Sequence, residues 1–343
     1  NYNFFCCCFW HINNFKVMLI DNPNKNFYVH SYIKSGFIDE TENNLGISHL
    51  IEHVVLESWN QCKNDSCMEF LSKKGINMNG TTDLRLIHYY VYGLIEDLNT
   101  MLNYIIDVTV NPKFPDKIIN KEKEAVTNEL LNYLNDKSSK LHNIFNQNFF
   151  NIFGLQNFDN HELQIKNLKN LQSSDLINYY KKQLSSNIYF IIAGKFNKKL
   201  ESYILNLLYN RLPKINNTFS KNINCFSYKN ELIYINDPTY TMTEILMGIP
   251  CDIYPVKMNR ILIDFTLNLL NNILLNYLRI KKELIYGISI KYKISNSGTS
   301  IFILVNTKNE NATEVYKNII NIINYYKKNN VENDILNGIK KNI

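Results

Sequence analysis

Two hydrophobic rhythms alternate along this chain. One is the period-two alternation of strands and the other the 3.6-residue spacing of amphipathic helices. Val17-Met18-Leu19-Ile20 reads as an apolar strand closed by Asp21-Asn22-Pro23. Leu232-Ile233-Tyr234-Ile235 reads the same way and is closed by Asn236-Asp237-Pro238. A second strand follows each, at 27–35 and 241–248, and then a long helical pattern, at 46–58 and 257–282. Further strands come at 85–93 in the first half and at 286–292 and 300–306 in the second, each set followed by a helix, at 95–110 and 311–327. This is a weak internal repeat. Helical patterns at 116–135, 173–182 and 197–211 and a strand at 187–194 complete the first copy.

The pattern predicts an α+β fold of two related modules, each a mainly antiparallel sheet packed by helices. The first module is placed at 1–212. A polar linker with Pro213, Asn216, Asn217, Ser220 and Asn222 occupies 213–230, and the second module is placed at 231–343. The second copy breaks off before any counterpart of the 187–194 strand and reads as truncated.

Composition narrows the function. Hydrophobic residues make up 45% of the 343, enough for two cores of ordinary size. The net charge of +6 is scattered, and clusters such as Lys121–Lys123 and Lys327–Lys328 read as solvated helix faces, so no nucleic-acid partner is expected. No run approaches the roughly 20 apolar residues of a membrane helix, so no membrane span is expected. Phe4–Trp10 is too short for a secretory segment and reads as a strand or a ragged terminus. The seven cysteines (Cys6, Cys7, Cys8, Cys62, Cys67, Cys225 and Cys251) form no framework. Their odd count predicts reduced thiols in an intracellular setting, the cytoplasm ahead of the mitochondrion. Cys62-x4-Cys67 has the spacing to pair or bind metal, but no second pair complements it and a structural reading is favoured.

The candidate chemistry lies in His49-Leu50-Ile51-Glu52-His53. On a helix, positions i, i+3 and i+4 share a face. Both imidazoles can then reach one metal, with a carboxylate beside it. Ile47, Leu50, Ile51, Val54 and Val55 supply the apolar face that would hold the helix in place. A catalytic zinc needs a third protein ligand and leaves one position for water. Glu122 and Glu129 lie seven apart on the 116–135 helix, beside Val126, with Leu130, Leu131 and Leu134 as residues to bury. Spacing alone does not choose between the two carboxylates.

The chain resembles the inverted-motif zinc peptidases of the pitrilysin/insulinase type, which include the mitochondrial processing peptidase. H-x-x-E-H at 49–53 and E-x3-V-x2-E at 122–129 carry the resemblance, with residues 54–128 between His53 and Glu129. It continues in Gly75-Ile76-Asn77-Met78-Asn79-Gly80-Thr81-Thr82, in Asn111-Pro112 with Phe114, and in Ile192-Ala193-Gly194 with Leu212-Pro213. In the second half, Leu278-Arg279 followed by Tyr286-Gly287 resembles the family's L-R-x6-Y.

The resemblance implies that His49, His53 and Glu129 hold one Zn2+ per chain, while Glu122 orients a ligand histidine from behind. Glu52 would be the general base in hydrolysis of extended peptides or unfolded polypeptides. Asn79, Gly80 and Thr81 would line the substrate edge. Arg279 and Tyr286, which by residue type alone are ordinarily structural, would donate hydrogen bonds to the scissile carbonyl from a second copy. A homodimer, or a heterodimer with a related half, is therefore expected. The alternative is a non-catalytic scaffold or partner subunit of a processing-peptidase-like complex. Three departures bear on chamber shape and substrate choice: Gly80 stands where the family has Ala, Val54-Val55-Leu56-Glu57-Ser58-Trp59 lacks the usual Gly-Thr, and 269–276 replaces a Gly-rich segment.

Overall fold

The computed structural model describes residues 7–62, 66–151, 160–216, 227–228, 231–251, 257–295 and 298–340. Residues 4–6 of the apolar N-terminal run, Cys225, and most of the expected linker lie outside them. In chain order the elements begin with strands β1 (Cys7–Ile12), β2 (Phe15–Asp21) and β3 (Asn26–Ile33) and helices α1 (Ile47–Glu57) and α2 (Cys67–Ser72). Strands β4 (Asn77–Thr82) and β5 (Ile87–Leu94) follow, then helices α3 (Leu98–Val110), α4 (Asp116–Asn135) and α5 (Lys137–Phe149). Next are β6 (Phe150–Asn151), α6 (His161–Asn170), α7 (Ser173–Leu184), β7 (Ile188–Gly194), α8 (Lys198–Arg211) and β8 (Ser227–Tyr228). The chain continues through β9 (Thr243–Cys251), α9 (Lys257–Leu275), β10 (Ile285–Ser295), β11 (Gly298–Thr307), α10 (Ala312–Tyr326) and α11 (Asn333–Lys340).

Residues 1–140 and 153–222 group into one compact unit, and 141–152 and 223–343 into a second. The first unit is built on a six-stranded sheet of order β1-β2-β7-β3-β5-β4. Only the β2–β7 pairing is parallel. The alternation expected of half-buried strands is plain in β3, where Phe27, Val29, Ser31 and Ile33 point into the core. Their neighbours Tyr28, His30 and Tyr32 form, with His88, Tyr90 and Tyr92 of β5, a stacked aromatic ladder on the other face. Helix α1 buries Leu50, Ile51, Val54 and Val55, and α3 buries Met101, Leu102, Ile105 and Ile106. These eight side chains join the core strands in one cluster. Helix α4 buries Ile119, Glu122, Val126 and Leu130. Leu131, expected to be buried, is 42% exposed because it follows the stripe by one residue and faces outward.

The second unit repeats the arrangement in part. The run β3-α1-β4-β5-α3 is matched by β9-α9-β10-β11-α10, and sheet order β3-β5-β4 by β9-β11-β10. Leu274, Leu278, Ile303, Val305, Val315 and Ile319 form its core.

Three expectations need correction. The strand expected at 232–235 does not form, and Leu232, Ile233, Tyr234 and Ile235 are all exposed. In the first unit the corresponding β2 is held between β1 and β7. The described residues of the second unit contain no counterpart of β7, so the backbone groups of this segment have no ladder to join. The cysteines are not all free. Cys62 is disulfide-bonded to Cys67, because the turn between α1 and α2 brings their Cα atoms to 5.1 Å. The thiol count therefore no longer argues for a reducing compartment. Finally, residues 261–281, in α9 and the π-helical turn Asn276–Lys281, are long and apolar enough by length and composition to cross a membrane. Ile263, Leu267, Leu274 and Leu278 of this stretch are buried in the protein, whereas Ile261, Leu262 and Ile280 are exposed.

The C-terminal end of α1 is fastened by Tyr104 of α3, whose hydroxyl donates to the Leu56 carbonyl at 2.8 Å. Both groups are buried. Tyr104→Phe is therefore expected to destabilise the first unit by about 1–3 kcal/mol, the cost of an unsatisfied buried acceptor. Urea unfolding at unchanged m-value checks this.

Candidate metal centre

Helix α1 presents His49 and His53 one turn apart, and their rings meet edge to face with centroids 4.9 Å apart. Helix α4 lies across them. Glu129 Oε2 is 3.5 Å from His49 Nε2 and 3.7 Å from His53 Nε2. A tetrahedral zinc, with bonds of about 2.0–2.1 Å, holds its ligand atoms about 3.4 Å apart. Two imidazole nitrogens and one carboxylate oxygen at these spacings fit such an ion, and no other described set of His, Cys, Asp and Glu gathers three donors so closely.

The other ring nitrogen of His53 explains why Nε2 faces the cluster. Nδ1 lies 3.2 Å from Glu122 Oε2, on the buried side of α4. With the proton on Nδ1 donated to that carboxylate, Nε2 keeps its lone pair for a metal. Burial raises the Glu122 pKa, but the hydrogen bonds from His53 and Lys121 outweigh it and hold the carboxyl below its ordinary value. In the metal-free protein, burial lowers the pKa of His53, yet its bond to Glu122 and the nearby carboxylates bring the net shift upward. Among the described residues, no carboxylate is paired with the other ring nitrogen of His49. Burial, with His53 and His161 nearby, pushes its pKa down to about 4.

Glu52 is only 6% exposed and takes a hydrogen bond from Thr82 Oγ1 at 2.5 Å. Burial raises its pKa, opposed by Thr82 and His53 and reinforced by Glu129. A carboxyl whose pKa is raised by burial, beside these three donors, is suited to accept and return a proton. Strand β4 approaches closely at Gly80, where a Cβ would lie 2.8 Å from Leu56 Cδ1 and 2.9 Å from Glu52 Cγ. Glycine here leaves the Glu52 side chain room to stand against the strand.

A cavity of about 730 Å³ opens beside these groups. His49, Glu52, His53, Glu122 and Glu129 line it, together with Asn79, Gly80 and Thr81 of β4. Strand β4 ends the sheet order, and Asn77, Asn79 and Thr81 are exposed along it. Arg279 and Tyr286 belong to the second unit. Arg279 sits in the π-helical turn after α9, and Tyr286, on β10, is 53% exposed.

Three contributors escaped the sequence reading. Thr82 lay within the segment that prompted it, but nothing in sequence linked it to Glu52. Tyr133 continues the α4 stripe of Ala125 and Glu129 at helical spacing, a signal that was present. His161 opens α6 with its ring 5.7 Å from that of Tyr133, and an isolated histidine 108 positions from His53 carries no signal at all.

Comparison with known proteins also matches the chain in two segments, but their boundary falls inside the first compact unit. The family model described as "Insulinase (Peptidase family M16)" matches residues 16–158, and the one described as "Peptidase M16 inactive domain" matches 170–343. A chloroplastic stromal processing peptidase of Oryza sativa subsp. indica is 29% identical over 129 residues, 34% of this chain and 10% of that protein. The uncharacterized zinc protease YmxG of Bacillus subtilis (strain 168) is 24% identical over 136 residues, 39% of this chain and 33% of that protein. The chain thus spans a small part of the length of these curated relatives. The crystal structure of a peptidase M16 inactive domain from Pseudomonas fluorescens superimposes with a TM-score of 0.81 at 15% identity, covering 98% of this chain and 83% of that one.

The electrostatics predict a titration. In metal-free protein, the His49 ring should stay neutral down to about pH 4 while His53 titrates above 6.5. A lowered pKa means that stability tied to neutral His49 is present above pH 6.5 and is lost as pH falls toward 4. Histidine ring NMR, assigned with His49→Gln and His53→Gln, reads both values. Coincident titration near 6.5 would contradict the geometry.

Proposed function

The chain belongs to the M16 peptidase family, and from that membership we propose that it is a zinc-dependent endopeptidase acting on extended peptides. The observation that carries the proposal is the approach of His49 Nε2, His53 Nε2 and Glu129 Oε2 around one point, with Glu52 beside it. All four residues fall in the segment matched by the insulinase model.

In this reading His49, His53 and Glu129 hold the ion, and Glu122 fixes the His53 tautomer. Bound zinc supplies a Lewis acid and a water acidified to a pKa near 7. Glu52 takes the proton from the attacking water and returns it to the departing amine. Thr82 steadies Glu52 by its hydrogen bond. The substrate extends along the free edge of β4, its backbone pairing with that strand next to Asn79, Gly80 and Thr81. The position of β4 at the end of the sheet order supports this, since an edge strand has unpaired N–H and C=O groups. Arg279 and Tyr286 serve as donors to the developing oxyanion, delivered by the second unit of another copy or of a related half.

A second reading rests on the inactive-domain match over residues 170–343. Under it the chain is a scaffold or partner half. Intact donor groups and an intact base favour the first reading.

Glu52→Gln separates the two. The variant should bind one zinc per chain, as wild type does, while cleavage of a quenched peptide library falls by about 10²–10⁴. Equal cleavage by both proteins would remove Glu52 from the mechanism. Bound zinc without any cleavage by wild type would favour the scaffold.

A further inference from the structure

Helix α1 begins in an unusual way for an element that must hold a metal ligand in its first turn. Its N-cap is Gly46, with φ of 92° and no side chain to receive the first backbone N–H groups. His49 stands three residues further on, in the turn that frays first when a helix end lacks partners. His53 lies a full turn deeper and is less exposed to fraying.

The missing cap is supplied from upstream. Glu40 is 7% exposed, and its two carboxylate oxygens divide the work. Oε2 accepts from the Gly46 N–H and Oε1 from the Ser48 N–H, both at 2.8 Å. Residues 40–48 thereby close into a loop fastened at both ends. Burial raises the Glu40 pKa to about 7 against the opposing pull of these backbone bonds, and its ionised form also complements the positive pole of the helix. The surroundings of Ser48 and Gly46 limit other movement. Ser48 Oγ reaches the Tyr179 hydroxyl at 3.3 Å, and a Cβ on Gly46 would lie 3.3 Å from Gln164 Cβ.

We propose that Glu40 is a positioning residue for the metal centre, holding the first turn of α1 so that His49 Nε2 stays in register with His53 and Glu129. Glu40 touches neither the cavity nor the three donors, and it acts through the backbone on either side of Ile47. The role assigned to His49 rests on the zinc reading above, whereas the capping of α1 does not.

Glu40→Gln tests this, since it keeps the side-chain shape and one acceptor oxygen while replacing the other by a donor. Tyr104→Phe, at the far end of α1, is the control for general loss of stability. Zinc affinity measured against a chelator should fall about 10-fold or more in Glu40→Gln, the usual cost of losing a residue that orients a ligand. It should stay within twofold of wild type in Tyr104→Phe. Peptide cleavage by Glu40→Gln should recover when zinc is raised to saturation. Amide hydrogen exchange of the metal-free variant should quicken at 46–49 and not at 50–57. Unchanged zinc affinity, or an equal fall in the control, overturns the proposal. Should wild type bind no zinc, the peptidase reading fails, and the exchange measurement still decides: unchanged exchange at 46–49 removes Glu40 as the cap.

Discussion

The docking of α4 against α1 is the contact on which the site depends. Neither helix carries a complete donor set. Helix α1 offers two imidazoles on one face, and α4 offers Glu122 and Glu129 two turns apart. Burial of Ile119, Val126 and Leu130 seats α4 against α1 in the core cluster that also holds Leu50 and Val54. That seating sends Glu122 under His53 and leaves Glu129 half-exposed over both rings. The apolar stripe and the carboxylates share one helical period, so hydrophobic packing fixes how the three donor groups face one another. A small rotation of α4 would separate the two roles of its glutamates.

The buried polar groups follow from the same packing. Once α1 lies under β4 and α4, Glu52 has little water, and its pKa rises with burial. The Thr82 hydroxyl partly offsets that cost by its hydrogen bond to the carboxylate. Gly80 makes the approach of β4 possible. The departure from the family's usual Ala, visible in sequence, thus corresponds to a close passage between the strand and Glu52.

Much of this was legible in the chain. The α1 and α4 boundaries, the repeat, and the grouping of His49, His53 and Glu129 follow from periodicity and spacing joined to a family resemblance. Local pattern suffices where a residue's role is shared with its helical neighbours. It failed where the partner is remote. Thr82 and Glu40 act through contacts 30 and 6 to 8 residues away that no period marks. The segment at 232–235 has a strand's composition but no ladder among the described residues, because pairing depends on a neighbour the pattern does not contain. Cys62 and Cys67 paired because a turn closed between two helices, whereas counting thiols treats each cysteine alone.

The central claim is that two imidazoles of α1 and one carboxylate of α4 hold a single zinc. X-ray absorption at the zinc edge of the loaded protein tests it most directly. The account predicts a four-coordinate ion with two imidazole nitrogens and two oxygens at about 2.0–2.1 Å, one oxygen from Glu129 and one from water. A sulfur neighbour at about 2.3 Å, or a shell without imidazole scattering, would contradict it.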